Sequence, residues 1–222
     1  MLFIIIASLL IPMDEAQTDH LKAYGLTYWV LSEGLNAEWL LNYRGGSFLL
    51  PGIAGIENEA KRRGVLSLRV SEDQVNSIYA DIERNNMERV KLEKAPKVAV
   101  YIPETEGPWD DAVSLALEYA RIPYDRIWDG DILNGVLKNY DWLHLHHEDF
   151  TGQYGKFYVN YASTAWYKEV VNINERKARS LGYSKVWQMK HEVARKIRNY
   201  VAEGGFLFAM CSAPITLDIA LS

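Results

Sequence analysis

Apolar positions along this chain follow two alternating rhythms. "SLLIPM" at 8–13 is a short unbroken apolar run stopped by Asp14, which reads as a buried strand. Leu21, Tyr24, Tyr28 and Leu31 then recur at helical spacing and end at Gly34. "AEWLLNY" at 37–43 reads as a second strand, followed by the turn "RGGS". "IENEAKRRG" at 56–64 predicts a short helix with Gly64 as its stop, and "VLSLRV" at 65–70 a third strand. Ser71 has the character of an N-cap, with Gln74 at the capping-box position, for a helix over 72–84. Strand and helix alternating at this spacing predict a parallel sheet with helices on its faces.

The polar stretch "NNMERVKLEKAP" interrupts the pattern and reads as a linker, joining two α/β units near 85–95. The units are expected at 1–93 and 94–222. The rhythm restarts with a buried strand, "KVAVYIP", and a helix over 108–122 with Pro108 in its first turn. "YDRIWD" and "YDWLHLH" follow as strands. The clearest helix is "VWQMKHEVARKIRNYVAEGG", with an apolar stripe of Val186, Met189, Val193, Ile197 and Val201 ended by Gly204 and Gly205. "FLFAM" is the last strand. An aromatic insertion at 150–185 carries Tyr154, Phe157, Tyr158, Tyr161, Trp166 and Tyr167. Connections this long are often lids. The rings suit stacking on a sugar, and equally an amphipathic flap that packs them inward.

Composition adds exclusions. The chain has 222 residues, 49% hydrophobic and 24% charged, within the range of soluble globular proteins of one large or two small domains. The net charge is −5 and the basic residues are scattered; "KRR" at 61–63 reads as a solvated helix face, so no nucleic-acid partner is expected. The apolar opening over 1–11 is too short for a membrane span. If residues 1–7 are a clipped signal peptide the protein is exported or periplasmic, and otherwise cytoplasmic. A single cysteine excludes an intramolecular disulfide, and no cofactor signature is present.

Two places carry candidate chemistry. Cys211 falls where an apolar strand turns into a helix, with Ala209 and Ala213 two residues to either side. Such a corner lifts one side chain above a sheet and places it at a helix N-terminus, which favours a thiolate. The alternative is a small buried structural cysteine. "HLHHED" at 144–149 is the second place. His144 and His146 alternate and share one strand face, with His147, Glu148 and Asp149 beyond. This suits a polar strand end, an active-site role for His146, His147 and Glu148 beside Cys211, or metal ligation by His144, His146 and Asp149. The run is similar in part to the H-x-H-x-D-H pattern of metallo-β-lactamase-type hydrolases, with Glu148 and Asp149 standing at its Asp and His positions.

"YDWLHLHHED", a helix and then "IRNYVAEGGFLFAMCSA" resemble the class I glutamine amidotransferase-like fold over about 96–222. "LLIPMDEAQTDHLKAYGLTYWVL", "WLLNYRGGSFLLP" and "VKLEKAPKVAVY" resemble bacterial proteins often labelled asparagine synthetase B. The resemblance implies an α/β, Rossmann- or flavodoxin-like architecture in two units, with Cys211 as nucleophile. It also implies a catalytic His and acidic partner after the elbow, so that the chain is expected to be an N-terminal fragment. The family's elbow glycines are Ala209 and Ala213 here, and Pro214 removes an N–H from the helix start. Asparagine synthetase activity itself is not expected: Leu2 stands where those enzymes place a cysteine, and no SGGxDS-type loop is present. Three functions remain open: a cysteine-dependent amidase or ester hydrolase, a non-catalytic module binding a small molecule or carbohydrate at the carboxyl edge of the strands, and a metal-dependent hydrolase.

Overall fold

The computed structural model describes residues 8–103, 112–152 and 155–222. The expectations for residues 1–7, for Pro108 and for Tyr154 lie outside them. The chain forms two compact units: Met1–Ala95 with Leu115–Ile122, and Pro96–Ser114 with Pro123–Ser222. No helix among the described residues is long and apolar enough to cross a membrane.

The first unit runs β1 (Ser8–Ile11), α1 (His20–Ser32), β2 (Ala37–Leu41), β3 (Ser47–Pro51), α2 (Ala54–Arg63), β4 (Leu68–Val70), α3 (Glu72–Arg84) and β5 (Glu88–Leu92). Its sheet has the order β4-β1-β3-β2-β5, and every neighbouring pair is antiparallel. The parallel sheet expected here is therefore replaced by an antiparallel one. The cause is the connection at 42–46. Five residues are too few for a parallel crossover, which takes a dozen or more, so β2 and β3 close as a hairpin. Arg44, Gly45 and Gly46 take left-handed backbone conformations in this turn. The helices α1 and α2 each join strands of equal direction with one strand left between them, the split arrangement of a ferredoxin-like motif. The α3–β5 segment extends it.

Three layers result. Leu9, Ile11, Phe48 and Leu50 face Ala23, Leu26 and Val30 of α1 and Ile56 and Ala60 of α2. Leu10, Leu40 and Leu49 face Val75, Ile78 and Ile82 of α3. The Ser71 hydroxyl accepts the Gln74 N–H and the Gln74 side chain accepts the Ser71 N–H, completing the expected capping box. The buried face of α1 is offset from the expected stripe, and Leu21 and Tyr24 are exposed.

After β6 (Val98–Tyr101) comes α4 (Ala112–Ala120), most of which belongs to the first unit; the second unit continues with β7 (Tyr124–Ile127), α5 (Asp129–Leu133), β8 (Trp142–Leu145), α6 (Gly155–Tyr161), α7 (Ala165–Ser180), α8 (Val186–Ala202), β9 (Phe206–Ala209) and α9 (Ala213–Leu221). All its strands are parallel, in the order β7-β6-β8-β9, flanked by helices and compatible with a Rossmann-like fold. Ala99, Tyr101, Leu143 and Leu145 form the sheet side of a core with Ile132 of α5, Val193 and Ile197 of α8 and Leu217 of α9. The stripe of α8 ends on Tyr200 rather than Val201, which is exposed. The Tyr200 ring lies against Gly205, where an added Cβ would come within 2.2 Å of it, so the second glycine of the Gly-Gly pair is a packing requirement.

Candidate functional site at the carboxyl edge of the second sheet

Parallel strands deliver their last residues to one edge, where ligands bind in open α/β sheets. Here β8 and β9 pair in register from Trp142↔Phe206 to Leu145↔Ala209. The Met210 N–H continues the ladder to the Leu145 carbonyl. β8 ends at Leu145 and β9 at Ala209, so His146 and His147 on one side and Cys211 on the other lie just beyond the ends of adjacent strands.

Cys211 is exposed and has φ of +53°, in the left-handed region. That conformation costs a residue with a Cβ on the order of 1–2 kcal/mol, and it persists only where neighbours hold it. The first turn of α9 does so. The Ala213 N–H donates to the His146 carbonyl at 3.4 Å and to the Met210 carbonyl at 3.1 Å. The Ser212 hydroxyl donates to the His147 carbonyl at 3.0 Å, and the Thr216 hydroxyl to the Glu148 carbonyl at 2.6 Å. Three consecutive carbonyls after β8 are thus fastened to the turn carrying the thiol. Ser212 and Thr216 were not among the sequence candidates; their signal is a hydroxyl directly after the cysteine and another one turn later.

The histidine cluster divides. His144 is buried in the sheet, paired in register with Phe208 and stacked on its ring at 5.7 Å. His146 is half-buried and His147 exposed, and their rings stack with centroids 3.6 Å apart. Glu148 is buried, and its carboxylate accepts the His146 N–H at 2.7 Å, closing the turn after β8. Asp149 accepts the Thr151 N–H at 2.9 Å in a similar local turn. The turn that follows Cys211 is therefore fastened to the backbone of His146 and His147, while Glu148 and Asp149 shape the loop. Among the described residues no group of three or more His, Cys, Asp or Glu side chains converges as a metal site.

A second buried group lies at the ends of β6 and β7. The Tyr101 hydroxyl donates to Asp129 Oδ1 at 2.5 Å. Lys190 of α8 donates to the Tyr101 oxygen at 2.6 Å and pairs with Asp129 Oδ2 at 2.9 Å. Burial first, and the Asp129 charge second, hold the Tyr101 phenol well above its ordinary 10.0. In the unfolded chain the phenol ionises near 10, while in the folded protein it keeps its proton. Folding then loses stability as pH rises above about 10, and the full contribution is present below it. Thermal melts between pH 9 and 11 are expected to fall more steeply for the parent than for Tyr101→Phe; equal slopes would remove Tyr101 as the cause.

Comparison with known families, with curated proteins and with solved structures finds no match for this chain.

Proposed function

We propose that the protein is a cysteine-dependent hydrolase or amidase in which Cys211 attacks an amide or ester carbonyl. The observation that carries the reading is the left-handed backbone of an exposed cysteine at a strand-to-helix turn. Strained non-glycine residues cluster at active sites, and this one carries the chain's single thiol at a strand-to-helix turn. His147 is the base: its carbonyl accepts from Ser212, the residue after the thiol, and its ring is open to solvent. His146, stacked on it, orients that ring. The thiolate adds to the carbonyl, and the Ser212 N–H, following the nucleophile, faces the developing oxyanion. Collapse forms a thioester and releases the amine or alcohol with the proton His147 took up; water then hydrolyses the thioester.

The test uses p-nitrophenyl acetate as a simple acyl donor. The expected result is a burst of p-nitrophenolate approaching one equivalent per chain. The burst is absent in Cys211→Ala and slowed by about 10²-fold or more in His147→Ala. No burst from the parent, or an undiminished one from Cys211→Ala, overturns the reading.

A further inference from the structure

We propose that the insertion between β8 and α8 builds a binding site for an anionic sugar, a single pyranose-sized ring carrying a carboxylate. This site does not depend on the role of Cys211. Forty residues, 146–185, separate the end of β8 from the start of α8, where ordinary connections of this kind take about 2–6. They fold into α6 and α7, and between these helices and the first turn of α8 lies a cavity of about 780 Å³. That volume is within the span of small-molecule sites, about 300–1,000 Å³. Since α8 returns the chain from the carboxyl end of β8 to the amino end of β9, the cavity stands over the carboxyl edge of the sheet.

The lining is aromatic and cationic. Trp187 and Tyr158 line it while 52% and 61% exposed, so two large rings are left partly in water at its wall. Tyr167 is buried there and meets Tyr158 edge to face at 6.5 Å. The C–H face of a pyranose is weakly apolar and packs on the electron-rich face of such rings. Lys168, Arg179 and Lys185 line the same cavity against one carboxylate, Glu175, in a chain whose net charge is −5. Lys168, Glu175 and Arg179 are spaced to share one face of α7, and Glu175 pairs with Arg179 at 3.5 Å. The local excess of cations selects an anion. Asn172 adds an amide group, and Ser184, whose hydroxyl donates to Gln188 at 2.7 Å, an acceptor oxygen, both suited to ring hydroxyls, which an aryl carboxylate lacks.

The wall is held by a close approach that only glycine allows. Gly152 has φ of +63°, and a Cβ there would lie 2.8 Å from the Trp187 nitrogen. The loop after β8 thereby presses on the start of α8 and sets the Trp187 backbone at the cavity.

The experiment is saturation-transfer difference NMR on the full chain with D-glucuronate, D-glucose and benzoate as separate probes. Glucuronate is expected to give saturable transfer and to shift the Trp187 indole resonance, with glucose at least 10-fold weaker and benzoate weaker still. Trp187→Ala and Lys168→Glu change exposed side chains and are expected to lose glucuronate transfer while keeping the parent's thermal melt. No saturable glucuronate transfer, transfer unchanged in Trp187→Ala, glucose binding as well as glucuronate, or a preference for benzoate each overturns the proposal.

Discussion

Cys211→Gly is expected to abolish thiol-dependent acyl transfer and to make the protein more stable. The two effects have one cause. With φ at +53°, Cys211 sits where a Cβ crowds the following carbonyl. Glycine removes the crowding and loses part of the gain to the greater freedom of the unfolded chain, leaving a net stabilisation of about 0.5–1 kcal/mol. Cys211→Ala keeps the Cβ, so it is expected to abolish activity at unchanged stability. The comparison isolates the backbone from the thiol: thermal or urea denaturation of the three proteins reads the first, and the p-nitrophenyl acetate burst reads the second. If glycine proves no more stable than alanine, the turn is not strained, and the physical reason for placing a nucleophile there is gone. Loss of activity with gain of stability is the expected pattern where a side chain is kept for chemistry at the expense of the fold.

Much of this architecture is legible in the order of residues because local signals survive packing. The capping box at Ser71 and Gln74 involves only backbone and side chains within one turn, so it forms as the spacing predicts. The pattern of strand and helix in the second unit holds for a similar reason: the central strands β6 and β8 are buried runs, and the connections between its strands are helix-bearing and long enough to cross over. Strand direction in the first unit is a different kind of information. It depends on whether "SFLLP" at 47–51 is a strand of its own, and on the shortness of the turn before it. Once that run is counted, five intervening residues force the hairpin and the rest of the sheet becomes antiparallel. The stretch expected as a linker hides β5 because Glu88–Leu92 is an edge strand, whose mostly exposed side chains read as polar loop.

The candidate site was legible in residue type and only partly in role. Small residues around a corner mark Cys211 in the sequence, and its strained backbone is visible only in three dimensions. The alternation in "HLHHED" does place His144 and His146 on one face, with rings 6.1 Å apart, but that face puts His144 against Phe208 inside the sheet. Glu148 had the chemistry of a general acid or base in the sequence. Its carboxylate closes the turn on the His146 N–H instead, a use that depends on a tight loop of two residues. The Tyr101–Asp129–Lys190 group had no sequence signature. Its members lie 28 and 61 residues apart along the chain, and meet because β6 and β7 are neighbours and Lys190 of α8 reaches both Tyr101 and Asp129.

That group carries the largest stability effect expected in the second unit. Lys190→Met is expected to destabilise it by about 3–5 kcal/mol. Lys190 and Asp129 side chains are 8% and 0% exposed, so solvent screens neither charge. The methionine fills most of the volume of the lysine stem, and the loss is therefore electrostatic rather than a cavity: the buried Asp129 carboxyl group loses the ammonium that pairs with it, while the Tyr101 hydroxyl still donates to it. Adding Asp129→Asn to Lys190→Met removes the stranded charge, and the double variant is expected to recover more than half of the loss. The sum of the two single effects should therefore exceed the double effect by about 2 kcal/mol or more, measured by urea denaturation in a double-mutant cycle. Additive single effects would mean that the ammonium and carboxylate are not coupled, and that Lys190 contributes through its aliphatic stem packed beside Trp128 and Tyr101.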